Sequence, residues 1–319
     1  MIAALSPYHL TTREPAAMAA LLLAERVVTM VPAPFEGVER PHVERAVARS
    51  PRYRDLMEAW RWSVPLWNAG VITGDVNGED AGSEVRSVCA RLRDDDRYAP
   101  LSLLMREGVF EDEQSYLDSV ARDLLRSGPD PAISIPLAAA MDRFAALHGM
   151  VVMRSSPMSV AQRAEQRLAG KLFAFAMPVL LQASAGRILE ARDALGDSME
   201  RLGRAIEAAS LDGASTFDLA DAARDAAHAF EPLRSDLSRP CDDEDDLHVI
   251  VGTASVTAVS TPVDAVLESS LAALQSFVRA PNRALRRPAT NTTTLPAVRD
   301  PLAGERVVSL VVRIIGRSR

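Results

Sequence analysis

The sequence has few of the residues on which common catalytic and metal-binding motifs are built. Only two cysteines, Cys89 and Cys241, occur in 319 residues, so neither a disulfide framework nor a paired-cysteine zinc motif can form. Lys171 is the single lysine, and no glycine-rich loop precedes it, which excludes a phosphate-binding P-loop. The sequence also lacks GxSxG, HExxH and GxGxxG motifs. We therefore predict no metal site and no cofactor.

Long hydrophobic runs are lacking as well. The longest, residues 16–24 and 172–181, fall far short of the ~20 residues needed to cross a bilayer. The first residues have neither the charged nor the apolar region of a secretory signal. Two free thiols suit a reducing compartment. We expect a soluble, cytoplasmic protein that does not contact membranes.

Positively charged residues are outnumbered overall, with 36 against 43 acidic residues, but are concentrated at one end. The net charge of −7 argues against a protein that binds polyanions over its whole surface. From Arg279 onward, however, nine arginines face only two acidic residues. Arg283, Arg286 and Arg287 are the candidates for contacts to phosphates, although no aromatic residues for base stacking lie between them. Nucleic acid is therefore a disfavoured partner.

The clearest pattern that is present consists of two consecutive helical stripes. Their apolar residues recur at spacings of three and four, as along one face of a helix. The turn-forming residues 210–215 separate the stripes, and Ser215 with Asp218 indicates a helix start. This pattern predicts a long antiparallel helical hairpin over residues 186–237. The first stripe comprises Ile188, Ala191, Leu195, Met199, Leu202, Ile206 and Ala209, and the second Leu219, Ala223, Ala226, Phe230, Leu233 and Leu237.

Outside the hairpin, two helix-to-strand units predict a sheet. Thr11 and Glu14 form a potential capping box before a helix over residues 15–26, and a strand follows over 27–31. The second unit has a stripe at Leu137, Met141, Phe144 and Leu147, a C-cap at Gly149 and a strand over 150–153. Further strands are predicted over 172–181, 249–259 and 307–315. The fold class is thus α+β and predominantly helical, with a small mixed sheet packed with helices.

The remaining segments indicate how the chain is divided. A helix is predicted over residues 53–62, a polar loop over 70–82, and a linker over the proline- and arginine-rich 281–305. We predict an N-terminal region with the sheet over residues 1–184. The hairpin with a strand and helix packed on it spans 185–280, and the linker with a last strand spans 281–319.

Two acidic segments are interpreted as ordinary loops. The run from Cys241 to Asp246, with His248 beyond it, has no defined ligand spacing and is typical of a solvated loop. The segment from Asp75 has Asp80 and Arg86 where a calcium loop needs Gly and Glu. A simple turn explains it better.

The three tryptophans, Trp60, Trp62 and Trp67, lie close together in sequence. Clustered indoles can form a recognition surface, because Trp is enriched at binding hot spots. They can equally fill the core where helices meet, which is the interpretation we favour. Trp60 and Trp67 are kept as candidate binding residues.

The strongest candidate for a small-molecule site is the N-terminal loop over residues 6–14, beside the strand predicted at Val27. It carries His9, Arg13 and Glu14, and loops on rigid scaffolds often carry sites.

Three functions are consistent with these features. The leading hypothesis is a non-catalytic interaction or scaffolding protein that self-associates through the hairpin. The second is a hydrolase-type enzyme with its site near residues 6–14, and the third is an accessory nucleic-acid binder acting through the arginine-rich tail. Whether the protein is an enzyme stays open at this stage.

Overall fold

The computed structural model describes residues 1–13, 15–29, 51–80, 91, 94–102, 141, 143–155, 172–211, 216–232, 248–253 and 306–315. More of these residues lie in helices than in strands. The helices with defined bounds are α1 (Pro7–Thr12), α2 (Pro15–Leu23), α3 (Pro51–Trp60), α4 (Val64–Asn68), α5 (Ala99–Ser102), α6 (Ala185–Leu211) and α7 (Thr216–Ala229). Single 3₁₀ turns cover Arg61–Ser63 and Asp96–Tyr98.

One seven-stranded sheet organises the chain. Its strands stand in the spatial order β3-β2-β1-β6-β8-β9-β7, and two further short strands, β4 and β5, form a separate hairpin. The sheet includes strands from all three predicted segments of the chain. The bounds are β1 (Ile2–Leu5), β2 (Arg26–Val28), β3 (Ile72–Thr73), β4 (Asp75–Val76), β5 (Glu79–Asp80), β6 (Val151–Ser155), β7 (Leu172–Leu181), β8 (His248–Thr253) and β9 (Arg306–Ile315).

The first four strands in this order are parallel. Ala4 of β1 is in register with Val28 of β2 on one side and with Val152 of β6 on the other. β3 continues the parallel set beside β2. From β1, the next two strands of the chain, β2 and β3, therefore lie on one side, and β6 lies on the opposite side. Beyond β6 the sheet is mixed, since β8 is antiparallel to β6 while β9 is parallel to β8 and antiparallel to β7.

The strands predicted at 172–181 and 307–315 are confirmed, as β7 and β9. They are antiparallel along ten residues each, from Leu172 opposite Ile315 to Leu181 opposite Arg306. The last strand therefore returns to the sheet, as its β-branched composition indicates.

Helix α2 lies at the centre of the core. Its residues 16–23 are all buried, as expected for a helix that is apolar on every face. It packs on β1, β6, β7 and β8 of the sheet and is covered by α6. This arrangement explains why the apolar run at 16–24 has no helical stripe.

Helices α6 and α7 carry the two predicted stripes. Every member of the first stripe, from Ile188 to Ala209, is buried, as are the described members of the second, Leu219, Ala223, Ala226 and Phe230. The two helices pack on each other, and Arg201 of α6 donates to Asp225 of α7 at 2.6 Å. Gly196 has non-helical backbone angles within α6, which marks a kink. Residues 212–215, which connect the helices, lie outside the described residues.

Two contacts fix α6 against the end of α2. A side-chain carbon built on Gly203 would come within 2.9 Å of the carbonyl oxygen of Leu23, so only glycine permits this approach. Arg192 donates from one guanidinium nitrogen to the carbonyls of Leu21 and Ala24, both at 2.7 Å, and from the other to Glu25 at 3.2 Å.

Several local predictions need correction. The predicted loop at 6–14 contains helix α1, and α2 ends at Leu23 rather than at residue 26. The predicted polar loop at 70–82 includes β3 and the β4–β5 hairpin. Leu147 is 46% exposed and so does not belong to the buried stripe.

Two other local predictions are confirmed. The segment from Asp75 to Asp80 does form a turn, with Asn77 and Gly78 both at positive φ, as a tight hairpin requires. Gly149 also has the positive φ of a helix C-cap before β6.

Among the helices of the described residues, none is long and apolar enough to span a membrane. The predicted linker at 281–305 and the acidic run at 241–246 lie outside the described residues.

Candidate functional site

The carboxyl ends of the parallel strands meet at one edge of the sheet. β1 leads into Ser6 and α1, β2 into Thr29, and β3 ends at Thr73. In open parallel sheets, ligands bind outside this edge where neighbouring strands connect in opposite directions. β1 and β6 are such a pair, because β1 continues to β2 on one side and β6 lies on the other. We refer to the residues following β1 and β2, with the helices packed on them, as the carboxyl edge.

Helix α1 is the element that crosses this edge directly after β1. It begins at Pro7, which fits the first helical position because its missing N–H is not needed there. The backbone N–H of His9 donates to the carbonyl of Ser6 at 3.1 Å, and the His9 side chain is fully buried. Arg13 follows the helix at φ 51°, which turns the chain toward α2.

A hydrogen-bond chain attaches α1 to α3. The indole N–H of Trp60 donates to the hydroxyl of Thr11 at 2.8 Å. That hydroxyl donates in turn to the carbonyl of Pro7 at 2.8 Å. Thr11 therefore does not act as the helix cap that its spacing from Glu14 predicts. Its hydroxyl instead ties the tryptophan cluster to α1.

The tryptophans pack as the core interpretation predicts. Trp60 and Trp67 are 1% and 7% exposed, and their ring centroids are 6.3 Å apart with the planes tilted by 32°. Ser63 lies between them and accepts from the Trp67 indole N–H at 3.2 Å while donating to the Trp60 carbonyl at 2.7 Å. Each buried indole N–H thus has a partner, as buried Trp usually requires.

The third tryptophan receives the arginine that follows α1. The guanidinium carbon of Arg13 lies 4.5 Å from the centroid of the half-buried Trp62 ring, within cation–π distance. Burial lowers the pKa of Arg13 from its ordinary value. Arg13 nevertheless keeps its charge, because a guanidinium is not deprotonated in proteins.

Two threonines at adjacent strand ends differ in how their hydroxyls are satisfied. The Thr73 hydroxyl donates to the carbonyl of Asp75 at 2.7 Å and accepts from its N–H at 3.1 Å. Thr29 lies beside it, since its backbone N–H donates to the Thr73 carbonyl at 3.0 Å. The side chain of Thr29 is fully buried. Its hydroxyl has no hydrogen-bond partner among the described residues.

The buried polar side chains of the described residues belong to this region. They are His9 in α1, Thr29 after β2, and Ser63 in the turn that joins α3 to α4. The described residues bring no three His, Cys, Asp or Glu side chains together as metal ligands would be. The carboxyl edge thus provides the buried side chains of His9, Thr29 and Ser63 and one arginine, and the tryptophans contact Ser63 and Arg13.

Sequence reasoning identified part of this site. Trp60 bonds α1, the helix that carries His9, and packs against Trp67, while Arg13 stacks on Trp62. Glu14 and the tail residues Arg283, Arg286 and Arg287 lie outside the described residues. Thr11, Ser63 and Thr29 were missed as members. Thr29 stands in the middle of the strand predicted over residues 27–31, so its place in the sequence offered no signal, and only the observed end of β2 at Val28 reveals its position.

Comparison with known proteins identifies no relative. No known protein family, no curated protein and no solved structure matches this chain.

Proposed function

We propose that the protein binds a small polar molecule at the carboxyl edge of its parallel strands. The observation that carries this proposal is the strand order β3-β2-β1-β6, which creates a crevice position between β1 and β6. Helix α1, which carries His9, and Arg13 directly after it follow the carboxyl end of β1. This corresponds to the second of our sequence hypotheses, with binding proposed and the reaction left open.

The segment after β1 limits the mode of binding. Dinucleotide sites of this strand order use a glycine-rich turn, through which the backbone approaches the pyrophosphate. Residues 6–13 contain no glycine, and Pro7 removes one backbone donor. The ligand is therefore held mainly by side chains rather than by a backbone phosphate cradle.

The tryptophan cluster provides a local test. All three tryptophans of the chain belong to this cluster, so tryptophan emission reports on this region alone. We would screen sugars, hydroxy acids, amino acids, nucleosides and nucleotides against the full chain by thermal shift. Ligand present at 100 times its Kd stabilises a folded protein by about 2.7 kcal/mol.

The proposal expects any compound that raises Tm to change the tryptophan emission as well. Trp62→Phe is the variant to compare with the natural chain in this assay. It removes the indole that stacks on Arg13, and Trp62 is only half-buried. A compound that raises Tm with unchanged emission would bind elsewhere. A screen in which no class raises Tm would contradict a binding function.

We also propose that α6 and α7 form the antiparallel hairpin predicted from their stripes. Only the four residues 212–215 connect the helices, and an extended residue spans at most about 3.6 Å. In a parallel arrangement the connection would have to run back along the length of a helix before α7 begins, and four residues are too few for that. The Arg201–Asp225 pair supports the same arrangement, because the two residues are about equally distant from the connection.

The leading sequence hypothesis, an interaction or scaffolding protein in the cytoplasm that self-associates through residues 186–237, remains a prediction. The first apolar stripe and the described members of the second are buried within the chain, so a partner of these residues' helices would contact the charged outer faces of α6 and α7. Light scattering after size exclusion tests it, and a strict monomer across the accessible concentration range would contradict self-association. Contact of the tail arginines with nucleic acid remains the disfavoured third alternative.

A further inference from the structure

The Thr29 hydroxyl makes no hydrogen bond with any described residue. It is fully buried at the carboxyl end of β2. Burying a hydroxyl without a partner is unfavourable, because its hydrogen bonds to water are lost and not replaced. Each such group in a native protein calls for an explanation.

Neighbouring hydroxyls show that the region satisfies such groups elsewhere. Thr11 both donates and accepts through its bonds to Pro7 and Trp60. Ser63 does the same with the two indole-bearing residues. Thr73, at the end of the adjacent strand, closes its own turn. Thr29 differs from all three.

The position of Thr29 indicates what kind of group could satisfy it. It directly follows the second strand of a parallel set, beside the end of β1. In dinucleotide-binding sheets of order 3-2-1-4, an acidic side chain about 20 residues beyond the first strand-to-helix turn bonds a ribose hydroxyl. Thr29 lies at about this separation from the turn after β1 and offers a hydroxyl in place of a carboxylate. A threonine hydroxyl can both donate to and accept from a ligand hydroxyl.

We infer that Thr29 is a ligand-binding residue whose hydroxyl bonds a hydroxyl group of a ribose-bearing ligand. The inference depends on the proposed binding function and specifies the ligand class for that site. Because residues 6–13 offer no glycine-rich phosphate cradle, the recognised part is the nucleoside rather than its phosphates.

The first measurement needs no ligand. Thr29→Val replaces the hydroxyl by a methyl group of similar size, so it should raise the Tm of the full chain by about 2 °C. Thr73→Val is the matched control and should lower Tm, because it removes a satisfied hydroxyl. A lower Tm for Thr29→Val would show that the hydroxyl has a partner within the protein and would overturn the inference.

The second measurement uses the four ribonucleosides and their 2′,3′-dideoxy counterparts as probes in thermal shift. At least one ribonucleoside should raise the Tm of the natural chain, and its dideoxy counterpart should not. Thr29→Val should abolish this shift, whereas Thr29→Ser and Thr73→Val should keep it. Equal shifts from a ribonucleoside and its counterpart, or no shift from any ribonucleoside, would overturn the inference.

The two proposals fail in different ways. If another compound class raises Tm and changes tryptophan emission while no ribonucleoside does, the inference is wrong and the binding function stands. If no class of compound binds, the function itself is wrong.

Discussion

The carboxyl edge and the helix layer of α2 and α6 are both buried, but they use polar groups differently. In the helix layer, a partly buried polar side chain completes the backbone: Arg192 bonds three carbonyls at the end of α2. At the carboxyl edge, His9 in α1 and Thr29 directly after β2 are fully buried. The two regions therefore differ in that the guanidinium of Arg192 is used by the fold, whereas the Thr29 hydroxyl has no partner among the described residues.

Arg192 shows how a polar group serves the helix layer. The last carbonyls of any helix lack partners within the helix, and the helix dipole makes that end partially negative. A guanidinium supplies several hydrogen-bond donors for these carbonyls and a positive charge next to the negative end of the helix dipole. Burial lowers the pKa of Arg192, while the negative charges of the nearby Asp193 and Glu25 raise it. The cation is kept because it completes the end of α2.

The largest effect should come from Trp60, which tests whether the carboxyl edge is as tightly packed as the helix layer. Trp60→Ala removes a side chain that is 1% exposed and should reduce the free energy of unfolding by about 3–5 kcal/mol. Chemical denaturation measures it. Trp62→Ala is the control and should cost clearly less, since Trp62 is half-buried. Equal costs would mean that the edge is loosely packed.

Arg192→Met should produce the next largest effect. It keeps most of the aliphatic volume but leaves three carbonyls without the guanidinium, with an expected loss of about 2–3 kcal/mol. The stability of Arg192→Lys should lie between those of the natural chain and Arg192→Met, because an ammonium cannot reproduce the forked set of donors of a guanidinium. Arg224→Met is the matched control on α7, where the arginine is 75% exposed, and should be nearly neutral. A neutral Arg192→Met would remove the contrast between the two regions.

Gly203→Ala sharpens the same contrast by testing backbone approach alone. The new methyl carbon would lie 2.9 Å from the Leu23 carbonyl oxygen, so α6 must move away from α2. We expect a loss of about 1–3 kcal/mol from overpacking. Gly186→Ala is the control, because its nearest neighbour is the Ser184 hydroxyl at 4.0 Å. That variant should be stabilised by about 0.5–1 kcal/mol. If both glycines behave alike, the close approach has no energetic importance.

Periodicity and composition predicted α6 of the helix layer and the last strand of the sheet well. The stripe from Ile188 to Ala209 identifies the face that is buried, and the β-branched residues of β9 identify a strand, because both patterns reflect local geometry. The capping prediction for Thr11 was wrong, because its hydroxyl is engaged by Trp60, which is 49 residues away in sequence. No local pattern reveals such a contact.

The candidate site was predicted less completely, for a related reason. His9 and Arg13 stand out as polar residues in one short segment, so sequence reasoning finds them. Thr29 stands out only once the sheet is assembled, because an unsatisfied hydroxyl is a property of its surroundings and not of its sequence. The position between β1 and β6 likewise depends on pairing between residues about 150 apart, such as Ala4 and Val152.

The smallest expected effect concerns the outer face of the helix layer, where polar groups remain in water. Arg201 and Asp225 are 58% and 51% exposed and lie 2.6 Å apart. A double-mutant cycle with Arg201→Ala and Asp225→Ala should give a coupling energy of only about 0.2–1 kcal/mol, which falls as salt is added. Glu200→Ala with Asp225→Ala is the matched cycle and should show no favourable coupling. A measurable coupling between Arg201 and Asp225 would confirm in solution that α6 and α7 pair at this register, whereas its absence would separate the two helices at this point.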